Sequence, residues 1–136
     1  MNRVDVVAVT HRGLRRDHNE DTVAVAGFLS EALEGEPTRI AVTTARPVTC
    51  LVADGLGGHA EGGRASRLAA SVIADAGPTL HDGPAVVRAI EDADEAIRAE
   101  AAGVPAWADM GTTVVVLTIN DSTAMCANVG DSRCYL

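Results

Sequence analysis

Apolar and polar positions along the chain alternate between two periods, and the changeovers mark the elements. Residues Arg3 to Thr10 set valines and an alanine among polar positions in a β-branched run, and Asp21 to Phe28 does the same after a polar loop, so each predicts a strand. Ser30 to Pro47 is acidic and then basic, with Gly35, Pro37 and Pro47 as breakers. It is expected to be an exposed excursion without a motif, folded as a long hairpin around Arg39 to Thr44. Thr49 to Ala53 is a short apolar strand running into Asp54-Gly55-Leu56-Gly57-Gly58-His59, a loop whose glycines allow a tight bend.

From Glu61 the period lengthens. Ala65, Leu68, Ala69, Val72, Ile73 and Ala76 recur at helical spacing until Gly77-Pro78 stops them. A second helix opens near Pro84, which suits a first turn, and repeats Val87, Ile90, Ala93, Ile97 and Ala101 as far as Gly103-Val104-Pro105. After a mobile-looking linker around Trp107, Gly111 to Ile119 and Thr123 to Val129 read as strands joined by the turn residues Asn120-Asp121-Ser122, with a third strand following Gly130-Asp131. Strands, two successive helices and strands again do not make the βαβ alternation of a parallel sheet. The pattern predicts an α+β fold in which a helical pair covers antiparallel sheet.

Length and charge narrow the function classes. At 136 residues the chain suits one domain, 1–136, with a real core. A formal charge of −8, with acidic residues scattered along the chain, argues against nucleic acid, which is bound by clustered Lys and Arg. The longest apolar run, around Val114 to Leu117, is far short of the roughly 20 residues that span a bilayer. No apolar signal-peptide core opens the sequence, so no membrane partner and a cytoplasmic location are expected. The cysteines, Cys50, Cys126 and Cys134, are odd in number, lack zinc-ligand spacing and sit in apolar stretches, which predicts reduced, packed thiols rather than a disulfide.

Acidic residues gather at the ends of predicted strands: Glu20 and Asp21 before one, Asp54-Gly55 after another, Gly130-Asp131 between the last two. Carboxylates held at separate strand ends can converge on a hard divalent cation and leave positions for water, and a glycine after an aspartate lets a backbone carbonyl approach the ion. Each cluster also has a purely structural reading. Asp131 could be a turn former, Glu20 and Asp21 a solvated loop, and Arg16 a surface charge rather than a guanidinium for phosphate oxygens. Asp54 is the least easily explained as a turn, standing between an apolar strand and a run of entropically costly glycines.

Arg16-Asp17-His18-Asn19-Glu20-Asp21, Val52-Ala53-Asp54-Gly55-Leu56-Gly57-Gly58-His59, Gly111-Thr112-Thr113 and Asn128-Val129-Gly130-Asp131-Ser132-Arg133 resemble, in order, successive signatures of the PPM/PP2C family of metal-dependent serine/threonine protein phosphatases. Gly-Gly-His closing the glycine loop is similar to the bacterial branch, and the likeness covers nearly the whole chain apart from Ser30 to Pro47. The resemblance implies a sandwich of two antiparallel β-sheets flanked by helices, incomplete at the C-terminus, around a binuclear Mn²⁺ or Mg²⁺ centre acting on phosphorylated proteins. It makes Asp54 the carboxylate bridging both metals, Gly55 a carbonyl ligand, Glu20 a ligand directly or through water, and Asp21 a residue that orients water. Arg16 matches the phosphate-binding arginine, and Asp131 a position holding a weaker third metal in several bacterial members. A water activated between two cations would attack phosphorus in line.

Two departures accompany the likeness. Leu56 stands where some members carry a histidine as candidate general acid, so no acid is assigned and His59 is expected to be a loop hydrogen-bonder. Further metal-binding aspartates, in an Asp-Gly and an Asp-Asn signature, belong to a second half of the family's domain and are absent up to Leu136. That leaves as alternatives a catalytically incomplete fragment or pseudophosphatase serving as a binding or regulatory module, with a missing C-terminal half or self-association through short strands. A nucleotide-binding module is a further alternative, because Gly55 to Ala60 fits G-x-G-x-x-G/A, a pattern that is weak without a parallel strand after the helix.

Overall fold

A computed structural model of the chain describes residues 1–29, 35–56 and 60–135. Gly57, Gly58 and His59, and with them the hydrogen-bonding role expected of His59, lie outside the described residues, as do 30–34 and Leu136. Two antiparallel sheets form. β1 (Arg3–Ala8) pairs with β4 (Thr38–Thr43), Arg3 opposite Thr43 and Ala8 opposite Thr38. The larger sheet runs β3 (Phe28–Leu29), β2 (Asp21–Val25), β5 (Val48–Leu56), β7 (Val114–Ile119), β8 (Ala124–Val129), and β6 (Gly111–Thr112) pairs with the end of β5. β6 and β7 keep one register along β5, from Leu56 opposite Gly111 to Val48 opposite Ile119, interrupted opposite Ala53 and Asp54.

The helices α1 (Ala60–Ala76) and α2 (Gly83–Ala101) follow each other, and α1 lies across β2 and β5. Ala65, Ala69, Ala70 and Ile73 of α1 meet Ala24, Leu51, Ala53 and Val116 in the core, where small residues let helix and sheet approach closely. Thr22 on β2 and Ser66 on α1 share a buried hydroxyl hydrogen bond of 3.0 Å in that layer. Asp82 caps α2 by accepting from the Ala85 N–H at 2.8 Å, with Pro84 in the first turn. Arg64 of α1 ties the helices together: it donates to Glu100 of α2 and stacks 4.8 Å from the Trp107 ring centroid.

Several expectations shift in detail. Asp21 to Phe28 is not one strand, because Ala26 (φ 49°) and Gly27 (φ 88°) make a two-residue turn that brings Phe28 opposite Val25. The described part of the expected excursion is half of the smaller sheet, since β4 satisfies its backbone on β1. β5 does not stop at Ala53 but carries Asp54, Gly55 and Leu56 within the sheet. The buried stripe of α2 is Val86, Ala89, Ala93 and Ile97, one position off the expected start, and Val87 is exposed. The segment around Trp107 is a 3-10 turn, Pro105–Trp107, closed by backbone hydrogen bonds. No strand is formed by residues 132–135.

Every strand pairing among the described residues is antiparallel, and α1 leads into α2 rather than into a parallel strand. The nucleotide-binding alternative loses its structural basis, since a dinucleotide site needs a βαβ unit. Among the described residues no helix is long and apolar enough to cross a membrane.

Candidate metal centre

Along β5, Leu51, Ala53 and Gly55 are buried, whereas Val52, Asp54 and Leu56 look away on the other face, as the two-residue period requires. Antiparallel pairing places Asp21 directly opposite Asp54. Partners opposite one another share a face, so both carboxylates stand on the side turned from the helices. On that side β2 and the smaller sheet enclose a cleft of about 600 Å³ lined by Ala8, Val23, Val25, Phe28, Ile40 and their neighbours. The strand ladder thus delivers two like charges to one spot at the end of the sheet.

Their electrostatics reflect that placement. The Asp21 carboxyl is pushed above its ordinary 3.8 by partial burial first, then by the Asp54 charge and a hydrogen bond with Asp54, then by Glu20, while Arg16 pulls the other way. Asp21, Asp54, Glu20 and Arg16 therefore share one field. The approach to β2 is set by Asn19, whose amide donates to Thr10 at 2.8 Å while its carbonyl oxygen accepts from the Asp21 N–H at 3.1 Å.

The backbone around Asp54 is fixed from both sides. Its carbonyl accepts from the Thr113 N–H and from the Thr112 hydroxyl, each at 2.9 Å. The next N–H, of Gly55, donates to the Glu20 carbonyl at 3.2 Å. Gly55 and Gly62 then press together so closely that a Cβ on Gly55 would collide with the Gly62 carbonyl. A methyl group at Gly62 would stand 2.7 Å from Glu20 Oε2 and 3.2 Å from the Gly55 carbonyl oxygen. A side-chain carboxylate oxygen and a main-chain carbonyl oxygen thus lie beside the same bare α-carbon, next to Asp54. Glu20 Oε2 and the Gly55 carbonyl oxygen are donors of the hard kind that a divalent cation such as Mg²⁺ or Mn²⁺ takes.

Of the sequence-predicted residues, Asp21 faces Asp54, Gly55 is bonded through its backbone to Glu20, and Arg16 acts on Asp21 through its charge from an exposed loop. Asp131 lies in an exposed turn at the same end of the sheet, attached through the Ser132 hydroxyl to Thr113 at 2.6 Å. Among the described residues no three His, Cys, Asp or Glu side chains converge as a ready cation cage. Sequence reasoning missed Gly62 and the buttressing by Thr112 and Thr113. Gly62-Gly63 inside a helix was the available signal, because each glycine there costs about 1 kcal/mol relative to alanine and needs a reason.

The family model described as Protein phosphatase 2C matches residues 37–136. The chain belongs to the protein phosphatase 2C family. Its similarity to the serine/threonine phosphatase stp of Listeria monocytogenes is 34% identity over 134 residues, 93% of this chain and 47% of that protein. The stp protein of Listeria welshimeri matches equally, at 34% over 134 residues with the same coverage of both chains. Among solved structures, the serine/threonine phosphatase PstP/Ppp of Mycobacterium tuberculosis superposes with a TM-score of 0.69 at 27% identity, covering 96% of this chain and 48% of that one. The PPM phosphatase MsPP of Mycobacterium smegmatis shares the fold, with a TM-score of 0.65 at 21% identity over 95% of this chain and 46% of its own. This 2C-type chain spans about half the length of the curated relatives it matches.

Proposed function

We propose that the chain contributes the Asp54 side of a binuclear Mn²⁺ or Mg²⁺ centre that hydrolyses phosphoserine and phosphothreonine in proteins. The observation that carries the reading is the pairing of Asp21 with Asp54, two carboxylates forced onto one face at the strand end where Glu20 and Gly55 also stand. Bound cations would supply Lewis acidity, lowering the pKa of water and offsetting phosphate charge. Asp54 would hold both ions, the Gly55 carbonyl and Glu20 one of them, and Asp131 a weaker third. Asp21 would orient the attacking water through its carboxylate oxygens. Arg16 would hold phosphate oxygens in the two-pronged geometry of a guanidinium.

A second reading is favoured by the missing third convergent carboxylate among the described residues and by the half-length match: an incomplete module whose centre is finished by other residues. One experiment separates the two. Titration with Mn²⁺ should raise the melting temperature of the wild type, and Asp54→Asn should abolish that rise. Turnover of a phosphothreonine peptide lost with Asp54→Asn supports catalysis by this chain, whereas cation binding without turnover supports the incomplete module. No response to Mn²⁺ in the wild type rejects the metal centre.

A further inference from the structure

At Gly130 (φ 100°) the chain turns back from β8, and the Asn128 side-chain amide donates to the Ser132 carbonyl at 2.8 Å. Two positions further out on each side stand Cys126 and Cys134. Cys134 stands close enough to Cys126 to act on its thiol. Both residues are exposed and both are free cysteines, contrary to the packed thiols expected from their apolar neighbours. Cys50, half-buried on β5, is apart from them, so the odd cysteine count resolves into one pair flanking the turn and one half-buried thiol.

We propose that Cys126 and Cys134 are a redox-modification site that closes to an intramolecular disulfide by exchange with a small disulfide such as oxidised glutathione. Where a chain folds back at a tight turn, positions equally far from it on either side face each other, with α-carbons in the range a disulfide requires. Partial desolvation, and then Cys134 alongside, push the Cys126 thiol up to about 11, which keeps it protonated and slow to attack. The Cys134 thiolate attacks glutathione disulfide, forming a mixed disulfide and releasing one glutathione thiolate. Cys126 then loses its proton to solvent, attacks the Cys134 sulfur and expels the second. Two cysteine thiols give up two electrons and two protons, and one glutathione disulfide becomes two glutathione thiols. The ring so closed contains Gly130, Asp131 and Ser132, so the modification would fix the turn that presents Asp131.

Reduced protein would be equilibrated in buffers of rising oxidised-to-reduced glutathione ratio, quenched in acid, alkylated and digested with trypsin. Cleavage after Arg133 separates the two cysteines, so a closed pair appears as one species joining the Cys126 peptide to the peptide beginning at Cys134, two hydrogens lighter than their sum. The expected result is that species from monomeric protein, with Cys50 alkylated. Cys126→Ser should leave Cys134 as a stable mixed disulfide with glutathione, and Cys134→Ser should leave Cys126 reacting more slowly. Separate mixed disulfides on both residues of the wild type, cross-linked dimers, or free thiols at the highest ratio would each overturn the proposal.

Discussion

Ala26 holds a left-handed backbone conformation, φ 49°, that the hairpin between β2 and β3 demands and that alanine tolerates poorly. Asparagine is suited to it, so Ala26→Asn should stabilise the protein by about 0.5–1 kcal/mol, read as a higher urea midpoint with an unchanged m-value. At Gly62 the expected effect is functional. An added methyl meets the end of a flexible carboxylate, Glu20 Oε2 at 2.7 Å, before it meets backbone. Gly62→Ala should therefore fold with wild-type circular dichroism, displace the Glu20 carboxylate and weaken the Mn²⁺-induced rise in melting temperature. Asp54 and its glycine were legible in the sequence because they interrupt an apolar strand with costly residues. Gly62 was not, because its partner is a carboxylate more than forty positions away, brought near only by the β2–β5 pairing.

At the scale of elements, periodicity identified both helices and most strands. What it misplaced were features settled by tertiary contact. The α2 stripe begins at Val86 rather than Val87 because the helix sits against α1 and the sheet edge, and β4 joins a sheet because β1 offers it a partner. Trp107 was expected in a mobile-looking linker, yet its ring stacks under Arg64, which also donates to Glu100. That side chain is about half exposed, so screening limits the ion pair and the ring contact adds to it. Arg64→Ala should cost about 1 kcal/mol in urea unfolding, and Glu100→Gln less, because it leaves the stacking in place.

Over the whole molecule, the concentration of carboxylates at one end of the larger sheet should appear in the pH dependence of stability. Asp21 has a raised pKa in the folded chain, so its contribution is most favourable below its ordinary 3.8 and is lost as pH rises through the raised folded value. Without metal, Asp21→Asn should consequently be more stable than wild type at neutral pH, the difference vanishing on acidification below about 4. Thermal melts across that range check the sign. The fold class was legible because helices in succession exclude a parallel sheet. The facing of the two sheets was not, since it depends on which side of β5 each alternate residue takes.

The opposition of Asp21 and Asp54 acts as a parity check on folding. Side chains on a strand alternate, so a slip of β2 along β5 by one residue would send Asp21 to the helix side, toward the layer where Ser66 and Ala65 pack, and bring Thr22 into the cleft. Burying an unpaired carboxylate there is costly enough that the slipped chain should not persist. The residues proposed to serve chemistry thereby also reject the wrong alignment, so the register that assembles the site is one the chain can verify before any cation arrives.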